Sequence, residues 1–450
     1  MSSKISRRQV LRALALSGTG LALAACQVPA APAPSAPASP QPEPQNGATG
    51  TYQGKFVITS VRNADQSAPL IQAIEEAHPG VKVEWRFMPS ERFVELFTAA
   101  EVAGDQIDVM DLNGQDLRRY AVGGKLMDLS DISYKDRFRE VAIRTYTIGG
   151  KLWALPRGGI SGFTYLINKK AFERVGLDKE ISTYDELKVV APELKKLGIA
   201  PVTHPGKNIY LWPVWQFWSY AQTSKNQSIE NTIKTLTGEM KFTDPEHVAA
   251  LEALHDYAVD GMFIDSVNSL EGDAAWVPFT QGKAAIYYMH TSRIAAYRGG
   301  EFPELDMSLI PPLRHVNVDD AVIRQNPGGT GNALGIYAKI KPERETVARS
   351  IIDLMTSDTW VRWSNQQAKD PVSCNANVQA SDDELALKYS KECSPNQTTY
   401  LDWLWPPEVT RAFQENQQAI VALTKKPDEA AQSIQKVLDD LYKDGYRFQT

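Results

Sequence analysis

The sequence is poor in the residues from which catalytic and metal sites are usually built. Only three cysteines and six histidines occur among its 450 residues. No two histidines follow the His-Glu-x-x-His spacing of a helical zinc site, and neither a Gly-x-Ser-x-Gly turn nor a phosphate-binding P-loop occurs. We therefore expect no metal ion, no cofactor and no enzymatic activity.

Long apolar runs and an excess of basic charge are also missing. The apolar stretch at 13–23 is shorter than the roughly 20 residues that a membrane-spanning helix needs. Residues 1–25 hold four basic and no acidic side chains, so the rest of the chain carries 44 basic against 54 acidic residues, a net charge of −10. This balance argues against nucleic acid or anionic lipid as the main partner.

The first residues have the pattern of an export signal. Arg7 and Arg8 precede the short apolar stretch, which ends in Leu23-Ala24-Ala25-Cys26. The paired arginines resemble a twin-arginine signal, and the last four residues resemble a bacterial lipobox. By this resemblance, 1–25 is a cleaved signal, and Cys26 is the lipidated first residue of a protein anchored on the outer side of the cytoplasmic membrane. An ordinary secretory signal is the alternative.

A tether follows this signal. Residues 26–50 are nearly all Pro, Ala, Ser, Gln and Gly, a composition that favours an extended chain over a packed domain. The roughly 400 residues that follow are enough for two or three domains. We therefore expect the folded body to begin near Tyr52.

Two cysteines remain in that body. Cys374 and Cys393 lie in a polar stretch of a chain that we expect outside the reducing cytoplasm. We therefore predict a disulfide between them, with two free thiols as the alternative.

Alternating strand and helix patterns open the folded body. Strand patterns at 55–61, 81–85 and 107–112 are separated by two amphipathic helical patterns. This rhythm predicts an α/β fold with parallel strands and right-handed crossovers. Ligands collect beyond the carboxyl ends of such strands, so we expect binding residues at 62–65 and 113–116.

Several stretches together resemble one family. They are 107–129, 149–177, the Thr183-Tyr184-Asp185-Glu186-Leu187 run, 279–286 (FTQGKAAI) and 326–337 (NPGGTGNALGIY). Their order resembles that of the extracellular solute-binding proteins of ABC importers, in the branch that includes maltose- and other sugar-binding proteins. The resemblance implies a periplasmic-binding-protein-like fold of type II, in which two α/β lobes joined by crossing strands close on a ligand.

The resemblance also implies lobe boundaries and a function. We expect lobe 1 over 51–163 and 332–378, and lobe 2 over 164–331 and 379–450. The implied function is that of a monomeric, non-enzymatic receptor, which binds a mono- or oligosaccharide between the lobes and delivers it to the permease subunits of the transporter. A secreted glycan-active hydrolase is the main alternative, and a purely structural surface lipoprotein is another.

Sugar recognition combines flat aromatic faces with polar groups, and this requirement selects the candidate ligand contacts. The first-lobe candidates are Asn63, Asp65, Asn113, Gln115 and Arg157. The second-lobe candidates are Tyr210, Trp212, Trp276, His290, Thr291, Gly329 and Thr330.

Some of these candidates have a structural alternative. Asn113 and the neighbouring Asp116 stand where a helix needs an N-cap. Trp276 could cover a helix end, and Gly329 could serve only a tight turn. His290 begins a trio that stands where many family members have Gly-x-Trp, so an expected aromatic platform is missing. Because a guanidinium group binds carboxylates, Arg157 also makes an anionic ligand an alternative to a neutral sugar.

Overall fold

The computed structural model describes residues 52–298, 302, 305–315 and 318–448. The predicted signal, the tether and Cys26 lie outside these residues. Among the described residues, no helix is both long enough and apolar enough to cross a membrane.

The first sheet has five strands in the order β2-β1-β3-β12-β6. Its strands are β1 (Gly54–Ser60), β2 (Val81–Phe87), β3 (Val109–Asn113), β6 (Leu155–Pro156) and β12 (Asn332–Ile336). β1 is parallel to both β2 and β3, which confirms the parallel pairing predicted from the strand and helix patterns. β12 returns antiparallel to β3 and lies between β3 and β6.

The second sheet is built around one long strand, β7 (Gly159–Asn168), which is buried along nearly its whole length. Its main path runs β14-β11-β7-β9-β8, and β10 and β13 also pair with β7. These strands are β8 (Ala200–Thr203), β9 (Ala284–His290), β10 (Met307–Ile310), β11 (Asn326–Thr330), β13 (Val372–Ser373) and β14 (Gln397–Thr398), while β4 (Thr147–Ile148) and β5 (Lys151–Leu152) form a separate hairpin.

Sixteen α-helices of the described residues surround the sheets. They are α1 (Ala64–Ala77), α2 (Phe93–Ala103), α3 (Gly114–Val122), α4 (Glu140–Arg144), α5 (Lys169–Glu173), α6 (Tyr184–Lys196), α7 (Pro213–Thr223), α8 (Ser228–Thr237), α9 (Pro245–Val259), α10 (Gly272–Thr280), α11 (Ser292–Arg298), α12 (Pro342–Met355), α13 (Asp358–Ala368), α14 (Glu384–Glu392), α15 (Pro407–Val421) and α16 (Pro427–Lys443). Short 3-10 turns at Ile209–Leu211 and Leu401–Trp403 lead into α7 and α15.

Local sequence explains where several helices begin. Thr183 accepts a hydrogen bond from the Glu186 amide, and the Glu186 carboxylate reaches back to the Thr183 amide, which completes a capping box at the start of α6. α7 is buried on nearly all sides, so its aromatic side chains form core rather than surface.

The chain passes from one sheet to the other at defined points. Arg157 and Gly158 connect β6 of the first sheet to β7 of the second. Gly331 makes the return, between β11 and β12, and its carbonyl accepts a hydrogen bond from the Gly114 amide (2.9 Å). We call the elements around the first and second sheets the first and second lobes.

The predicted disulfide is wrong for this structure, because Cys374 and Cys393 are free, buried thiols. The Cys374 Sγ donates to the Pro156 carbonyl oxygen at 3.5 Å, and the Cys393 Sγ lies 3.6 Å from the Thr164 hydroxyl. Burial raises the pKa of both thiols to about 12, so neither is ionised at neutral pH.

Candidate ligand-binding site

A tryptophan of the second lobe lies against the first turn of a first-lobe helix. β3 ends at Asn113, and α3 begins at Gly114. A Cβ atom at Gly114 would lie 2.5 Å from a ring carbon of Trp403, so only glycine leaves room for that ring. Trp403 therefore marks the place where the two lobes meet.

The larger of two cavities beside Trp403 has a volume of about 670 Å³. Its first-lobe wall is one side of α3, with Gln115, Asp116 and Arg119. Its second-lobe wall includes Asp402 and Trp405, the start of α15 and the C-terminal residues 446–448. The first lobe thus contributes polar groups to this space, and the second lobe contributes polar and aromatic groups.

The smaller cavity has a volume of about 400 Å³ and a more apolar wall. Its first-lobe lining includes Leu117 and Ile148, and its second-lobe lining includes Ile229, Ile233 and Leu404. Trp403 lines both cavities. Each volume falls within the roughly 300–1,000 Å³ of small-ligand pockets.

Carboxyl groups in the larger cavity have perturbed acidity. Desolvation by burial raises the pKa of Asp402 to about 7, so this side chain is only partly ionised at neutral pH. Burial also raises the pKa of Asp116, while the charge of Arg119 opposes that rise. The cavity therefore offers a ligand two carboxyl groups whose pKa values are raised.

Some of the predicted first-lobe contacts have structural roles, and one of them lines a cavity. Asn63 is exposed and caps α1, where its Oδ1 accepts from the Gln66 amide (2.9 Å), and Asp65 is exposed in the next turn. Asn113 accepts from the Asn332 side chain (3.2 Å), which ties β3 to β12. Of these predicted residues, Gln115 lines the larger cavity.

The structure places Arg157, another predicted ligand contact, away from both cavities. Arg157 is 2% exposed, and its Nη2 donates to Asp111 Oδ2 at 2.7 Å. Its guanidinium therefore pairs with a buried carboxylate of β3 instead of facing a ligand.

Two of the three predicted aromatic platforms are buried. Trp212 is fully buried, donates its indole N–H to the Gly206 carbonyl (2.9 Å) and packs 4.7 Å from the His204 ring. Trp276 is 5% exposed and packs against Phe279. Neither presents a free ring face, and neither lines the two cavities beside Trp403. Tyr210 is 60% exposed and stays a prediction.

The segment after β9 lies beside the long strand β7. The His290 ring meets Phe163 edge-on at 5.4 Å, and its Nδ1 accepts from the Ser292 amide, while burial lowers the pKa of His290 to about 4. Thr291 is buried, and its hydroxyl accepts from the Gly162 amide (3.3 Å). Thr291 therefore lines neither cavity and holds the strand instead.

Gly329 and Thr330 belong to β11, where they pair with Ser161 and Ile160 of β7. Both are buried, and the Thr330 carbonyl accepts from the Tyr146 hydroxyl (2.5 Å). The pairing of β11 with β7 therefore explains the burial of the glycines of this stretch, and no ligand contact is needed to explain it. The neighbouring Gly328 lines the smaller cavity.

Sequence reasoning missed Asp402, Trp403 and Trp405. The run at 400–405 (YLDWLW) has an aromatic density similar to that of the α7 region, and a proline pair follows it. That density was the available signal. It identifies aromatic side chains but not which of them face the space between the lobes.

Comparisons with known proteins agree with this architecture. Residues 63–361 match the family described as bacterial extracellular solute-binding protein, so the chain belongs to that family. A family 1 extracellular solute-binding protein of Bifidobacterium longum subsp. infantis superposes with a TM-score of 0.74 at 14% identity, over 86% of this chain and 99% of that one. A chitin oligosaccharide binding protein superposes with a TM-score of 0.69 at 19% identity, over 86% and 98% of the two chains.

A curated relative gives a more limited match. An uncharacterised ABC transporter extracellular-binding protein of Pyrococcus horikoshii is 23% identical over 231 residues, which cover 50% of this chain and 53% of that protein. The chain spans about half the length of the curated relatives it matches. The two-lobe fold of family 1 solute-binding proteins is therefore established for this chain.

Proposed function

We propose that the protein is the extracytoplasmic solute receptor of an ABC importer and that its solute is a mono- or oligosaccharide. The observation that carries this proposal is the position of Trp403. Its ring lies against α3 of the opposite lobe, between two cavities that both lobes line. A tryptophan face beside carboxyl, amide and guanidinium groups suits a sugar ring with its hydroxyls.

The receptor works by a change of population between open and closed forms. A ligand that contacts α3 and the 401–405 segment at once binds the closed form more tightly than the open form, and so favours closure. The closed form then docks on the permease subunits, and the solute passes on unaltered. The points where the chain changes sheets, at Arg157-Gly158 and at Gly331, support a hinge for this motion.

We also propose how the receptor is held. Family membership supports export of the protein. The Leu23-Ala24-Ala25-Cys26 sequence supports a lipid anchor at Cys26 on the outer side of the cytoplasmic membrane. We further propose that the receptor acts as a monomer.

A thermal-shift screen of the purified protein against mono- and oligosaccharides tests the proposed solute class. A saccharide at one hundred times its Kd should raise the free energy of unfolding by about 2.7 kcal/mol, because it binds only the folded form. Polyols and amino acids at the same concentrations serve as controls. A stabilisation by these controls alone, with none by any saccharide, would contradict the carbohydrate proposal.

A glycan-active hydrolase is a second candidate because Asp116 and Asp402 line the same cavity and both have raised pKa values. A glycosidase needs two carboxyl groups about 5–9.5 Å apart across its cleft. Turnover of aryl glycosides that Asp402→Asn abolishes would favour this candidate over a receptor. Binding of intact oligosaccharides without turnover would exclude it.

A further inference from the structure

The larger cavity carries guanidinium groups on both of its walls. Arg118 and Arg119 belong to α3 of the first lobe, while Arg411 of α15 and Arg447 near the C-terminus belong to the second. The whole chain has a net charge of −6, so its average surface is acidic. The four arginines outnumber the two acidic residues of the same lining, Asp116 and Asp402, so the cavity is opposite in sign to the average surface.

Neighbouring acids neutralise this cluster only in part. Arg411 pairs with Glu415 one helical turn away (2.6 Å), and both side chains are exposed. Arg447 donates to the backbone carbonyls of Tyr442 and Tyr446. Within the described part of the chain, neither Arg119 nor Arg447 lies within ion-pair distance of a carboxylate.

Two further groups in the cavity wall lack partners among the described residues. The Trp405 indole N–H is buried without an acceptor, and the Asp402 Oδ1 is buried without a donor. An indole N–H can only donate a hydrogen bond, and a protonated carboxyl group can donate one as well. The indole N–H of Trp405 is therefore a donor that an acceptor of the ligand, such as a carboxylate oxygen, would satisfy.

Closure of the lobes brings the two pairs of arginines toward each other. Like charges at the edge of a partly desolvated cavity repel, and this repulsion opposes closure. A ligand with a negative group removes the repulsion, and guanidinium groups bind carboxylates in a paired, directional geometry. An uncharged sugar would leave the repulsion in place.

From this arrangement we infer that the solute is an acidic saccharide, of the uronate class, whose carboxylate binds at the arginine-lined wall of the larger cavity. The inference rests on the proposed function and specifies its substrate class. The partly protonated Asp402 is compatible with it, because an uncharged carboxyl group does not repel the ligand's carboxylate. The affinity should fall as salt is added, because ions screen the attraction.

The test uses isothermal titration calorimetry with matched pairs of ligands. Each pair consists of a galacturonate or mannuronate oligosaccharide and the same oligosaccharide with its carboxyl groups methyl-esterified, and neutral oligosaccharides form a third arm. We expect at least tenfold tighter binding of one acid than of its ester. Equal binding of acid and ester, or preference for the ester, overturns the inference.

The remaining outcomes separate this inference from the proposed function. Binding of neutral oligosaccharides alone overturns the acidic class but leaves the carbohydrate receptor intact. Binding in none of the three arms overturns both.

A pair of arginine variants locates the carboxylate. Arg119→Gln should remove most of the preference for acid over ester, whereas Arg362→Gln, an exposed arginine on α13 that lines neither cavity, should keep it. Circular dichroism shows that each variant is folded before titration. If both Arg119→Gln and Arg118→Gln keep the preference for acid over ester, the carboxylate binds elsewhere, and the proposed arginine-lined wall is overturned.

Discussion

Replacing Asp111 by alanine is expected to lower the free energy of unfolding by about 3–5 kcal/mol, because it leaves the buried guanidinium of Arg157 without its counter-charge. Asp111 is fully buried, and its Oδ2 accepts from Arg157 Nη2 (2.7 Å) and from the Ser60 hydroxyl (2.6 Å). Burial lowers the pKa of Arg157 to about 10, although the charge of Asp111 opposes that fall, and the group stays charged at neutral pH. The loss is measured by urea unfolding at pH 7.

Two further variants separate the charge effect from a general effect of mutation. Asp273→Ala breaks a pair with Arg293 whose acidic partner is 93% exposed, and should change stability by no more than about 1 kcal/mol. The double variant Asp111→Leu with Arg157→Met removes both charges and should recover much of the loss. A loss below about 1 kcal/mol in Asp111→Ala would show that the pair is not buried as described.

Trp212→Ala is expected to destabilise the second lobe by about 3–5 kcal/mol, because it removes a large side chain from a filled core. The ring packs against His204 and Phe263, and the indole N–H loses its bond to the Gly206 carbonyl. A Cβ at Gly206 would lie 2.5 Å from the Trp212 ring, which shows how little free space surrounds it. The loss of stability is measured by thermal unfolding, with circular dichroism as the signal.

Binding measurements on the same variant decide between a core and a ligand role for Trp212. The folded fraction of Trp212→Ala should bind the solute with nearly unchanged affinity, and Trp212→Phe should show a smaller loss of stability. Weaker binding with unchanged stability would restore the role of ligand platform predicted from the sequence.

The sequence predicted the fold better than the contacts within it. The period of apolar residues identified the helices α1 and α2 and the parallel strands of the first sheet, because each pattern reflects burial of one local face. The disulfide prediction failed for a different reason. It rested on compartment and loop character, whereas Cys374 is held against Pro156 of the first sheet and Cys393 against Thr164 of the second.

The site shows the same limit. Arg157 and Trp212 have the chemistry of ligand contacts, but whether they face a ligand depends on Asp111 and Gly206 and on how the chain packs around them. Trp403 reaches the site because the last part of the chain returns to the lobe interface, and no local pattern encodes that return. Gln115 was predicted because it follows the carboxyl end of a parallel strand, where topology alone places it at the cleft.

The central claim is that the solute binds in the cavities beside Trp403, whose ring lies against α3, and Gly114→Ala tests it most directly. The added methyl group would lie 2.5 Å from the Trp403 ring, so the ring must leave its position between the two cavities. Gly272→Ala is the matched control, because Gly272 also begins a helix and its Cβ would meet only the Arg293 side chain at 3.8 Å. Calorimetry should use the saccharide that stabilises the protein most. We predict that Gly114→Ala weakens binding by about 1–3 kcal/mol while Gly272→Ala leaves the Kd unchanged. Equal Kd values for Gly114→Ala and the wild type would contradict a site between the lobes.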